Sequence, residues 1–194
     1  MERNGDIYIS PNHKKDEYRS LNLSLSSDPT TWETALDIFE DRIAGRFVNQ
    51  ITTLSNNINS NGFAIMALNC LLIETLLQFK LGTDETPSYN RDHYANFLTS
   101  EFPFVFDSQR KARRFYSDIR CGILHSAQTK DKSRLTCDTH YVINLRNGIF
   151  SVSVYEFSIM LQQYLAGYIQ KLRNPSEIVL RQNFIAKMDL VCRL

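Results

Sequence analysis

The chain is poor in the residues that make turns and cross-links. Its 194 residues include seven glycines, five prolines and four cysteines. So few turn formers argue against a turn-rich all-β fold. Cys70, Cys121, Cys137 and Cys192 contain no Cys-x-x-Cys pair. A disulfide scaffold is thereby disfavoured, and a reducing cytoplasmic setting is expected. The opening MERNGDIYIS lacks the apolar run of a secretory signal. Neither charge sign is in excess, with 22 Lys and Arg against 21 Asp and Glu and a net charge of +1. That balance excludes a uniformly basic nucleic-acid coat and an acidic disordered tail. The longest apolar stretch, FAIMALNCLLIETLLQF, is interrupted by Asn69 and Glu74 and has no basic flank at its start. It reads as a buried core helix rather than a membrane span, so no membrane association is expected. Internal repeats, low-complexity tracts, Gly-rich phosphate loops and RNP-type aromatic motifs are absent from the sequence.

What is present suits a helical domain. Hydrophobic residues make up 43% of the chain, enough for a real core. Residues 1–27 are polar and aperiodic and read as an N-terminal arm, with 28–194 as a single helical domain. Asp28-Pro29 is a helix start, with an N-cap carboxylate followed by proline in the first turn. Trp32, Leu36, Phe39, Ile43 and Phe47 then recur at helical spacing, and Glu33, Asp37, Glu40 and Asp41 mark a solvated acidic face. Ser60-Asn61-Gly62 reads as a break before a second helix over 63–81, closed by Gly82. That helix is apolar nearly all round, which places it at the bundle centre. A third helix is expected over 89–101, with Pro103 beyond it, and a fourth capped by Asp107.

HYVINLRNGIFSVSV alternates on both sides of Asn147-Gly148, a strong hairpin signal. Helical spacing returns from Tyr155 to Arg173. Pro175 follows, and Ser176 reads as the cap of a last helix. The expected fold is therefore mainly α, a helical bundle with one β-hairpin inserted between the fourth and fifth helices.

The fourth helix, SQRKARRFYSDIRCGILH, carries the chemistry. Arg110, Lys111, Arg113, Arg114 and Arg120 form a basic patch on a neutral chain, and Arg113 and Arg120 are seven apart, on nearly one face of an ideal helix. Arg110, Lys111, Arg113 and Arg114 are candidates for RNA-backbone contact, with Tyr116 as a base-stacking candidate. Arg120 and His125 are candidate catalytic residues. A guanidinium is permanently charged and grips phosphate with two parallel hydrogen bonds. An imidazole can move a proton near neutral pH. The pair would suffice to cleave RNA through its own 2′-hydroxyl, with no metal or cofactor. On an ideal helix the two side chains diverge by about 140°, so a two-fold dimer presenting two such pairs to one cleft is expected. Glu74, inside the apolar helix, needs a partner. It is either a structural ion pair with an arginine or a supporting group that orients Arg120 or His125.

The Arg-x4-His segment RCGILH resembles the motif of the HEPN superfamily. With it go the entry helix WETALDIFEDRIAGRF, the core helix ALNCLLIETLLQF, the hairpin and the final two helices. The likeness covers most of 28–192 and is nearest to a plasmid- and defence-associated branch. It implies a HEPN-like bundle and a homodimer with Arg120 and His125 at a shared cleft. It also implies metal-independent endoribonuclease activity in a toxin–antitoxin or phage-defence system, with RNA as substrate and an antitoxin protein as partner. Cys121 stands where many active members carry Asn, Asp or His after the arginine. The alternative is a noncatalytic HEPN-like module that binds RNA, a nucleotide or a protein. A competing chemistry is zinc held by Cys121, His125, Cys137 and His140, four soft ligands within twenty positions. His13 and His93 read as surface residues.

Overall fold

A computed structural model describes residues 1–3, 5–86 and 90–193. Among the described residues the chain is mainly helical, with seven helices and two small sheets. The helices are α1 (Lys15–Ser20), α2 (residues 29–55), α3 (Ile58–Leu81), α4 (Asn90–Glu101), α5 (residues 109–126), α6 (Val154–Arg173) and α7 (Ile178–Val191). Two of them widen into π-helix part-way, α2 at Ala44–Val48 and α5 at Phe115–Arg120. Strands β1 (Glu2–Arg3) and β2 (Asp6–Ile7) pair antiparallel. Strands β3 (Ser133–Thr136), β4 (Ile143–Arg146) and β5 (Ile149–Ser153) form a second sheet in the order β3-β5-β4. In it β4 runs antiparallel to β5, and β3 runs parallel to it. Tyr89, the expected start of the third helix, lies outside the described residues.

Several helix ends follow local chemistry. The Asp28 carboxylate accepts the Thr31 N–H at 3.0 Å, and Pro29 opens α2. Elsewhere the expected signals are corrected. α3 begins at Ile58 and runs straight through Ser60-Asn61-Gly62. A glycine costs a helix only about 1 kcal/mol, less than is recovered by burying Ile65 and Met66 one turn later. Ser108 rather than Asp107 caps α5, its hydroxyl accepting the Lys111 N–H. α7 starts after Glu177 with no side-chain cap, and Ser176 precedes it.

The chain folds as two compact units. The first comprises Met1–Asn49, Gln78–Glu85 and Leu165–Leu194. Its core is aromatic. Phe39 meets Phe79 edge-on at 4.7 Å and Phe184 at 5.4 Å. The polar lead-in contributes to this core, because Ile9 and Tyr18 are buried. The second unit comprises Gln50–Leu77 and Thr86–Tyr164. There Phe115 stacks on Phe157 at 4.9 Å and takes the edge of Phe106 at 5.5 Å.

The apolar helix α3 is one-sided rather than enclosed. Ile65, Met66, Cys70, Ile73 and Leu76 are buried, but Phe63 is 45% and Leu71 42% exposed. By length and composition this helix could cross a membrane; half of its most apolar window is buried within the fold.

Two backbone positions fix the surroundings of α5. Asn147 (φ 53°) and Gly148 (φ 75°) both take left-handed conformations in the β4–β5 turn, the geometry of a tight type I′ hairpin. At Gly122 the chain returning after α5 lies so close that a Cβ would press into the Gln128 carbonyl oxygen. That return is held by the Gln128 N–H on the Gly122 carbonyl at 3.3 Å and the Lys130 N–H on the Asp118 carbonyl at 3.0 Å. Gly122→Ala is therefore expected to destabilise the protein by about 1–3 kcal/mol, the usual cost of overpacking. Thermal denaturation followed by circular dichroism checks this, with a midpoint loss of about 2–4 °C per kcal/mol.

Candidate functional site

The site is built where α5 crosses α3. Arg120 ends the π-helical stretch and turns inward, its Nη2 donating to Glu74 Oε2 at 2.8 Å. Both side chains are about 15% exposed, at 15% and 14%. The other Glu74 oxygen accepts Asn90 Nδ2 at 2.7 Å and the Thr86 hydroxyl at 3.1 Å. The Arg120 guanidinium lies over the Tyr116 ring at 5.3 Å, and Tyr116 meets Tyr94 edge-on at 5.2 Å. Burial opposes the charge on Arg120, but the hydrogen bond and charge of Glu74 outweigh it and raise its pKa. Burial also raises the Tyr116 hydroxyl, against the pull of the Arg120 charge. Beneath them burial pushes the Cys70 thiol up to about 12, so it is no nucleophile. Two polar atoms in this cluster are buried without a hydrogen-bond partner, Arg120 Nε and Asn90 Oδ1.

His125 lies on the α-helical last turn, Cys121–Ser126, before left-handed Ala127 ends the helix. It is exposed, and among the described residues its ring makes no hydrogen bond. Residues 121–126 are regular α-helix, so the ideal divergence of about 140° between positions 120 and 125 applies. Arg120 faces inward to Glu74 while His125 faces solvent.

The expected RNA-contact residues separate. Arg114 is a structural clamp. Its Nε pairs with buried Asp118 at 3.1 Å, and its Nη2 donates to the carbonyls of Lys132 and Gly148, both at 3.1 Å. Asp118 also accepts the Ser133 hydroxyl at 2.7 Å, tying α5 to β3. Lys111 bonds Asp107 at 2.8 Å and the Val105 carbonyl at 3.1 Å. Arg113 pairs with Asp92 at 3.0 Å. Among the described residues Arg110 alone of these four forms no ion pair, and it is exposed. With Lys111, Arg114, Leu145 and Phe150 it lines a cavity of about 480 Å³. One face of Tyr116 is taken by Arg120. Arg113 and Arg120 take different partners because the intervening π-helical stretch adds residues to the turn and rotates the side chains beyond it.

The alternative zinc set is not assembled. Among the described residues no three His, Cys, Asp or Glu side chains are grouped closely enough to hold a metal. No protein-family model matches this chain, no curated protein matches its sequence, and no solved structure matches its fold.

Two contributors carried no sequence signal that singled them out. Asn90 and Thr86 reach Glu74 from the segment after α3, at separations of 16 and 12 residues. Asp118 was discoverable from its position four after Arg114, the spacing at which helical side chains meet. The Glu74–Arg120 pair is mostly removed from water, so losing one partner strands the other. Glu74→Ala should cost about 3 kcal/mol, and adding Arg120→Met should restore part of that loss. Urea denaturation of wild type, both single variants and the double variant measures the coupling.

Proposed function

We propose that the chain is a metal-independent endoribonuclease of HEPN type, acting as a homodimer whose two Arg120–His125 pairs meet at one cleft. The observation that carries this reading is the contrast at the end of α5. Glu74 holds the Arg120 guanidinium at 2.8 Å, while His125 stands in solvent without a protein partner among the described residues. A positioned cation and a free imidazole are the two groups that RNA cleavage by its own 2′-hydroxyl requires. In this reading His125 of one copy takes the 2′-hydroxyl proton. The 2′-oxygen attacks phosphorus and the bond to the 5′-oxygen breaks. His125 of the other copy donates the proton to that oxygen. The products are a 2′,3′-cyclic phosphate and a 5′-hydroxyl. Arg120 stabilises the charge that builds on the phosphoryl oxygens.

Support for the dimer comes from α3. Phe63, Ala67, Leu71 and Glu74 fall within about 80° of one another at 100° per residue, so the exposed apolar stripe runs into the Arg120 partner. Two such stripes packed together would set the pairs side by side. RNA reaches the cleft along the Arg110 cavity, and a toxin–antitoxin or phage-defence role with an antitoxin partner completes the reading. A noncatalytic RNA- or protein-binding role is the second reading. It is favoured by Cys121 following the motif arginine.

Incubation with total RNA in EDTA should give fragments ending in 2′,3′-cyclic phosphate. His125→Ala should reduce cleavage by at least about 100-fold with unchanged circular dichroism. RNA binding without cleavage by the wild-type protein would select the second reading. Leu71→Asp places a charge in the apolar stripe and should shift sedimentation from dimer to monomer, with cleavage lost in parallel.

A further inference from the structure

We propose that a small cavity in the first unit, beside Trp32 and Arg181, binds a short aliphatic monocarboxylate. The cavity measures about 140 Å³. Arg181 lines it and is only 4% exposed, yet among the described residues it forms no ion pair and its Nε has no hydrogen-bond partner. A buried charge left in this state is costly, and such groups are normally paired. Its compensation within the protein is the Trp32 ring, over which the guanidinium lies at 3.7 Å. Stacking on a ring uses the flat face of the guanidinium and leaves its edge, which carries the N–H donors, for an acceptor in plane. Trp32 is itself held, with its Nε1–H on the Ser24 carbonyl at 3.1 Å.

The rest of the lining selects the ligand. Arg173 also faces the cavity, but its Nε is already shared between the two Glu33 oxygens at 3.1 and 3.0 Å. Two guanidiniums against one carboxylate leave one positive charge uncompensated, which matches a monoanion. A planar carboxylate offers the two parallel acceptors that an arginine edge takes. Leu25 and Pro175 supply apolar walls, which suit a short hydrocarbon tail. None of these residues belongs to the Arg120 site, so the carboxylate site and the ribonuclease reading fail independently.

Trp32 is the chain's single tryptophan, so its fluorescence reports on the cavity directly. The test titrates the full chain with butyrate, butyramide and inorganic phosphate, following Trp32 emission and, in parallel, heat of binding. Butyrate should give a saturable change with a dissociation constant on the order of 1 mM, ordinary for so small a ligand. Butyramide, isosteric but uncharged, should bind at least about tenfold more weakly. Arg181→Lys keeps the charge and removes the fork, and should also weaken butyrate about tenfold. Absence of both heat and emission change with butyrate would overturn the proposal. So would equal binding of butyramide or of phosphate, or undiminished butyrate binding by a folded Arg181→Lys variant. The wild-type comparison of butyrate with butyramide decides the matter even where the variant does not fold.

Discussion

Glu74 sits in a helix whose neighbours Ile73, Leu76 and Leu77 are all buried. A carboxylate in that company must be satisfied in place, because its hydration shell is largely gone. The chain meets the requirement with one guanidinium, one amide and one hydroxyl, from Arg120, Asn90 and Thr86. Each donor comes from a segment distant in sequence, so satisfying one side chain fixes where α5 and the start of α4 lie against α3. Asp118 repeats the device at the opposite edge of α5. With Arg114 and Ser133 it anchors that helix to the three-stranded sheet. α5 is thus pinned at two carboxylates close to the motif, and the freedom of His125 follows from its place beyond the second pin.

The π-helical stretch between these anchors has a geometric role. Arg114 must reach Asp118 and the sheet, whereas Arg120 must reach Glu74. A regular helix would carry positions 113 and 120 nearly in line. The wider turns of Phe115–Arg120 change the phase. Arg113 then meets Asp92 on α4 and Arg120 meets α3. Stretches of this kind recur at functional sites, where a side chain is re-aimed at the cost of regular hydrogen bonding.

What was legible in the sequence was local. The Asp28 cap and the Asn147-Gly148 turn depend on residues within three positions of one another, and both read correctly from spacing. The helical character of most segments came from apolar periodicity, which is also short in range. Signals decided by distant contacts were misread. Ser60-Asn61-Gly62 looks like a stop, but burial of the next turn carries α3 through it. Strand β3 is four residues without alternation, and it exists because β5 offers a parallel edge. At the candidate site the sequence distinguished Glu74 as a group needing a partner. It could not say that Arg114 also donates to the carbonyls of Lys132 and Gly148, because those acceptors lie 18 and 34 residues away.

The two units handle several of their cations differently. In the second unit Arg113, Arg114 and Arg120 each have a carboxylate. In the first unit Glu33 serves Arg173 and Asp41 accepts from Asn12, so part of the acidic face of α2 is engaged rather than merely solvated. Arg42 and Arg46, on the same helix, converge on the Ile9 carbonyl instead. Burial, reinforced by the charge of Arg46, pushes the Arg42 pKa down to about 10. A carbonyl dipole or an aromatic face offsets less of a buried charge than a carboxylate does. The first unit therefore retains cations with incomplete compensation, and Arg181 is the one among them that is both nearly sealed from water and open to a cavity. Where a fold leaves a guanidinium so placed, the missing acceptor is a property the site asks of whatever enters it.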